Sequence, residues 1–307
     1  MSDYGVVVED NEDGDLIERP LDVIGTSLAW LDARLQQKGI VVPAGSELAQ
    51  ARARTESYRQ GALAGRSFKF PSPEDAFDFV ADAVGADFLS KALHLGANCG
   101  LTLTDEQWKF LVKGDPILTR AGPDSQWRNW TWELVIASLA ASFATNVTFD
   151  EPDVLCDFGG KRFAIAAKMA YVEGSVAKAV RKGFKQADGK GDATLVMVNA
   201  AGIYPARSTF GVHDFPDGKA GVRLMKPAVD RWALSFGFEG LNRSLLQKSS
   251  VPIGVAFFVP MFLKVGGVPA PFLCTQMPVC WDGDNGPDYA FATEFLHACQ
   301  SVLGFAP

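Results

Sequence analysis

Residues 153–168, DVLCDFGGKRFAIAAK, constrain the fold more than any other stretch of the chain. Two runs of strand-forming residues flank the Gly159-Gly160 pair, a pairing that suits the tight turn of an antiparallel β-hairpin. Pro152-Asp153 opens the first strand, Phe158-Gly159-Gly160-Lys161 makes the turn, and Arg162 to Lys168 runs back as the second strand. Side chains alternate across a strand, so Ala164, Ala166 and Lys168 share one face while Phe163, Ile165 and Ala167 share the other. A tight hairpin sets Asp153 about level with Lys168, and a carboxylate and an ammonium then face one pocket.

The hairpin is bracketed by a helix-patterned segment that carries Glu133 and, downstream, by a basic helix over Gly174–Gln186. On that helix Lys178, Lys182 and Lys185 recur at intervals of four and three, so they line one face, with Arg181 beside them. A formal net charge of −7 argues against a generally basic nucleic-acid-coating protein. Any nucleic-acid contact must therefore come from a local patch such as this row, which would grip a phosphodiester backbone without reading bases. A solvated helical face gives the same pattern. Ala193 to Asn199 follows as a buried strand, Leu195-Val196-Met197-Val198 being apolar on consecutive positions as in strands inside a sheet.

Taken in order, a helix with Glu133, a strand with Asp153, a hairpin, a strand with Lys168, a basic helix and an apolar strand, residues 125–200 resemble the PD-(D/E)XK nuclease superfamily. The resemblance implies an α/β fold, a restriction-endonuclease-like αβββαβ core with a mixed sheet flanked by helices. It implies that Glu133 and Asp153 hold divalent metal, Mg²⁺ or Mn²⁺, that Lys168 steadies the attacking water or the charge of the transition state, and that Gln186 is the polar residue often found on the following helix. Such a set suits phosphodiester hydrolysis, because carboxylate oxygens are hard ligands and an ammonium offsets charge on the phosphorane.

The departure is at position 166, where the family carries Glu or Asp and this chain carries Ala166. Glu133, Asp153, a backbone carbonyl and waters still make a plausible donor set for one ion, since Mg²⁺ often takes only one or two carboxylates. Two readings stand. The resemblance implies a metal-dependent endonuclease acting on DNA, as in defence or mobile-element effectors. Ala166, whether engineered or natural, supports the alternative of a catalytically dead nuclease fold used as a nucleic-acid-binding or assembly module. A third reading is an unrelated α/β fold in which Asp153 and Lys168 form a surface pair.

The rest of the chain divides into a mainly helical region over 1–122 and the nuclease-like domain over 123–307. Apolar spacing predicts helices over 20–38, 46–63, from Ser72 with Pro73 in its first turn, and from Thr104. These helices offer a surface for a partner protein or a second copy of the chain. Arg52, Arg54 and Arg59 could touch phosphate, although a solvated face is the commoner role for such residues. Trp127, Trp130 and Trp132 could stack on bases, and core packing along the Trp130-Leu134-Ala137 stripe is the favoured reading. Residues 5–17 read as a small hairpin or a loose arm, and 204–221 as a surface loop bearing His213 and Asp214. A helix over 227–248, paired strands over 253–265 and 272–280 joined at Gly266-Gly267, and a helix over 288–303 complete the chain.

No phosphate-binding glycine loop occurs in the sequence. Five scattered cysteines, Cys99, Cys156, Cys274, Cys280 and Cys299, read as buried free thiols and lack zinc-knuckle spacing, which fits a reducing cytoplasm. The N-terminus shows no secretory pattern, and the most apolar run, 251–263, is too short and too proline-interrupted to span a bilayer.

Overall fold

The computed structural model describes residues 21–63, 73–114, 116–119, 125–150, 153–201, 203, 214–215, 227, 231–232, 253–265, 271–276, 279–281 and 287–303. The hairpin forms as expected: β2 (Asp153–Phe158) and β3 (Lys161–Met169) pair antiparallel. Its turn rests on Gly159 and Gly160, whose φ values of 58° and 78° lie in the left-handed region that a side chain disfavours. From β3 the chain crosses through a 3-10 turn (Glu173–Ser175) and α6 (Val176–Ala187) to β4 (Ala193–Asn199), which lies parallel to β3. Parallel pairing demands such a crossover. β4 then pairs parallel with β6 (Ile253–Val265).

The result is an α/β fold with a mixed sheet in the order β1-β2-β3-β4-β6, where β1 is Thr145–Asp150. Along β6 the sheet is extended by β5 (Asp214–Phe215), β7 (Pro271–Gln276) and β8 (Val279–Trp281). Every residue of β4 is buried, which explains the apolar run Leu195–Val198 within it. α5 (Gln126–Ala140) packs on one face of the sheet and α6 on the other. On the α5 side, Phe163, Ile165, Ala167 and Met169 join a core that also takes in the N-terminal helices and α7 (Pro287–Leu303). Phe291 of α7 stacks on Phe163 at 3.8 Å between centroids, and Phe88 of α3 (Pro73–Asn98) stacks on Phe258 of β6 at 5.2 Å. Leu118, between α4 (Asp105–Lys113) and α5, is tied to the sheet by Asn199, whose amide donates to its carbonyl at 3.0 Å.

α1 (Leu21–Gln37), α2 (Glu47–Leu63), α3 and α4 fall where their periodicity predicts. α4 opens on a capping box, with Thr104 accepting from the Gln107 N–H and Gln107 reaching back to the Thr104 N–H. β1 precedes the hairpin and pairs with β2, so three strands stand between α5 and α6, although the polar Thr145-Asn146 and Thr148 left the first of them unlocated in the residue pattern. Three features differ from the sequence expectation. The segment expected as one strand over 272–280 is two, β7 and β8. Cys99 is exposed at the end of α3, while Cys156 and Cys299 are buried. Arg52 and Arg54 bridge helices, pairing with Asp32 of α1 and with the fully buried Asp82 of α3, so they are structural ties. The readings of 5–17, His213, the 227–248 helix and the Gly266-Gly267 turn lie outside the described residues or almost wholly so. Among the described residues, no helix is long and apolar enough to cross a membrane.

Candidate active site

Strand register and side-chain reach bring the hairpin's polar groups together. Val154 pairs with Ile165, so one step further along the ladder Asp153 stands opposite Ala166, the level that a two-residue turn at Gly159-Gly160 dictates and two residues short of Lys168, with which it was expected to be level. The long Lys168 side chain closes that gap. Its ammonium donates to Asp153 Oδ2 at 2.5 Å and to its neighbour's carbonyl, Ala167 O, at 2.9 Å. The Ala167 N–H donates to the same carboxylate oxygen at 2.9 Å. Both side chains of the pair are only 12% exposed, so this is a sheltered ion pair rather than a surface one.

Glu133 comes from α5, on the other layer. Ser125 caps this helix by accepting from the Arg128 N–H. Tyr171, three residues after Lys168, pins the first turn to the end of β3: its hydroxyl donates to Asn129 Oδ1 at 3.1 Å and also contacts the Ser125 backbone. Asn129 and Glu133 are four apart and share a helix face, so the tyrosine fixes the turn of α5 that precedes the carboxylate. Tyr171→Phe should cost about 1 kcal/mol, and Asn129→Ala added to it should cost little more. Chemical denaturation of the two single variants and the double variant reads the coupling.

Burial pushes the Glu133 carboxyl up to about 7; the neighbouring Asp153 charge adds to the rise and Lys168 opposes it. Burial also raises Asp153, against the pull of Lys168, the Ala167 N–H and the more distant Lys182. A carboxyl whose folded pKa is raised favours the fold while protonated and opposes it once ionised. Stability of the metal-free protein should therefore fall as pH rises from the ordinary 4.5 through about 7. The loss from Glu133 is about 3 kcal/mol, and Glu133→Gln should flatten the profile when denaturation midpoints are compared at pH 5 and pH 8.

The donor set fits a hard cation, with the Lys168 ammonium as the stand-in. One positive charge already sits between Asp153 Oδ2 and Ala167 O, with the Glu133 carboxyl electrostatically coupled to it. Among the described residues no group of three or more His, Cys, Asp and Glu side chains converges as a metal site, so the candidate rests on two carboxylates and a carbonyl.

Ala166 is fully buried beneath α6, facing Gly183. A Cβ placed on Gly183 would come within 2.8 Å of Val196 Cγ1, 3.1 Å of Ala166 Cβ and 3.2 Å of Lys168 Cγ. Helix and sheet thus meet at two small residues, where the family's second acidic side chain would project.

Lys178, Arg181, Lys182 and Lys185 are all exposed on α6, and Lys182 is the one whose charge reaches Asp153. Gln186 lies beyond Gly183 towards the start of β4, away from Lys168; its buried Oε1 meets no donor among the described residues. The tryptophans part company. Trp132 is buried and donates to Met197 O at 3.1 Å, while the partly exposed Trp127 and Trp130 pack with Phe110 of α4. Sequence reasoning missed Tyr171, Asn129 and Gly183; only the glycine inside a basic amphipathic helix was a usable signal. Compared with known proteins, the chain finds no matching family model, no significantly similar curated protein and no significantly similar solved structure.

Proposed function

We propose that the chain is a metal-dependent nuclease that hydrolyses phosphodiester bonds, with DNA as the substrate indicated by the resemblance. One observation carries this reading: a sheltered cation position formed by Asp153 Oδ2 and Ala167 O, coupled to Glu133, at the end of a β-hairpin beside a cationic helix. Glu133, Asp153 and the Ala167 carbonyl would hold one Mg²⁺ or Mn²⁺, which when bound supplies an acidified water and neutralises charge on the phosphoryl oxygens. The chain's own groups do the rest. Lys168, released from Asp153, offers its ammonium to the oxyanion that develops at phosphorus. Lys182 adds charge next to Asp153, and Lys178, Arg181 and Lys185 hold the flanking backbone.

A second reading, a binding module on the same fold, is favoured by the two-carboxylate donor set and by Ala166 lying closed beneath Gly183. Incubation of plasmid, linear and single-stranded DNA, and of RNA, with Mg²⁺ or Mn²⁺ separates the two. Cleavage by the natural chain that is lost in Asp153→Asn supports the nuclease. No cleavage, with salt-sensitive binding retained, selects the binding module.

A further inference from the structure

We propose that a single strand of nucleic acid leaves the carboxylate site over Trp130 and Trp127 and is anchored by its phosphates in a cationic cavity between the α1–α2 connection and α4. The direction of this path, outwards from Glu133, rests on the nuclease reading.

The cavity is about 960 Å³ and is lined by Lys38, Lys109 and Lys113 together with Gly45 and Ser46, which open α2. Its lining carboxylate, Glu47, accepts the Ile117 N–H at 3.0 Å and is thereby held towards the protein. Lys38 is engaged with Asp105 at 2.8 Å. Lys109 and Lys113 stand one turn apart on α4, both exposed, so cationic charge is presented along one wall. The first turn of the 17-residue α2 adds the positive end of a helix dipole. A cavity with that lining suits phosphate groups.

What connects it to the candidate active site is continuous. Lys113 Nζ lies over the Trp127 ring, 5.5 Å from its centroid. Trp127 meets Trp130 edge-on at 5.1 Å. Trp130 precedes Glu133 by three residues on the same face of α5. Six residues separate Trp127 from Glu133, about 9 Å along the helix axis. That is the rise of two or three nucleotides in a strand, at about 3.4 Å each. Partly exposed aromatic rings interleaved with lysines suit unpaired bases and their phosphates, whereas a duplex keeps its bases stacked inside.

The test uses the full chain in EDTA, so that no metal-dependent cleavage intervenes, and a fluorescein-labelled 20-nucleotide single strand as the probe. Lys109→Ala/Lys113→Ala should weaken binding about tenfold at low salt and reduce the slope of log K against log[salt] by about 1.4, the value for two single-strand phosphate contacts. Lys109→Gln/Lys113→Gln should act alike, and thermal unfolding of both pairs checks that the fold is intact. In a separate assay with Mn²⁺ and no EDTA, hydrolysis of bis(p-nitrophenyl) phosphate, too short to reach the cavity, should stay unchanged. Unaltered affinity and slope, no binding by the natural chain, or an equal loss for the matching duplex would each overturn the proposal. Lysine-dependent binding by a chain that cuts nothing with Mg²⁺ or Mn²⁺ would leave the anchor standing and remove the nuclease reading.

Discussion

Ala166→Glu should destabilise the fold by at least about 3 kcal/mol and should not create a stronger metal site. A family pattern alone suggests the opposite, since a glutamate two residues before the lysine would complete the acidic set. The packing decides against it. Ala166 has no exposed surface and faces Gly183, and the space a longer side chain would need is already filled by α6. A glutamate there must either lift the helix from β3 and β4 or bury a carboxylate among Val196, the Lys168 stem and the helix backbone. Gly183→Ala isolates the steric half of the argument: its new Cβ meets Val196 at 2.8 Å, so a cost of about 1–3 kcal/mol is expected without any charge. Denaturant midpoints for the two variants, with and without Mn²⁺, measure both halves. A folded Ala166→Glu chain that binds Mn²⁺ more tightly than the natural one would show that α6 yields, and would reinstate position 166 as a ligand position.

Most of the framework was legible because its determinants are local. The Gly159-Gly160 turn, the alternation of Phe163 to Lys168, the apolar Leu195–Val198 run and the helix start at Thr104 each specify backbone conformation within a few residues, and each is found where expected. Asp153 and Lys168 meet for the same reason, being 15 residues apart across one turn. What sequence could not supply is whatever depends on one element's position against another. The hairpin register was countable from the turn itself, since Phe158 opposite Lys161 sets Asp153 opposite Ala166; only the reach of the Lys168 side chain back to Asp153 needed the structure. Arg52 and Arg54 looked like a surface row until helices α1 and α3 presented Asp32 and Asp82 to them. Gly183 looked like a weak point in a helix, yet its missing side chain is what lets α6 settle on Ala166. Tyr171 carried no motif, and its role comes from the distance between the end of β3 and the start of α5.

Lys168→Met should move two readouts in opposite directions. Cleavage should fall at least about 100-fold, because the ammonium that would meet the developing oxyanion is gone. Divalent-cation affinity should rise at pH 8, by about tenfold, which corresponds to one charge contact of about 1.4 kcal/mol. The reason is competition: in the metal-free protein the ammonium holds Asp153 Oδ2 and Ala167 O, two of the oxygens a cation needs. Its removal also leaves two coupled, partly buried carboxyls without a counter-charge, so both take up protons more readily. The gain in metal affinity should therefore shrink at pH 6, where protons occupy the site instead. Metal-free Lys168→Met should be less stable than the natural chain by about 3 kcal/mol at pH 8, the cost of a buried charge that has lost its partner, and Mn²⁺ should restore much of it. A purely structural ion pair predicts the stability loss but not the tighter metal binding. Titration calorimetry with Mn²⁺ at the two pH values, beside a single-turnover cleavage assay, distinguishes a salt bridge that merely closes the hairpin from an ammonium that keeps a catalytic cation's place.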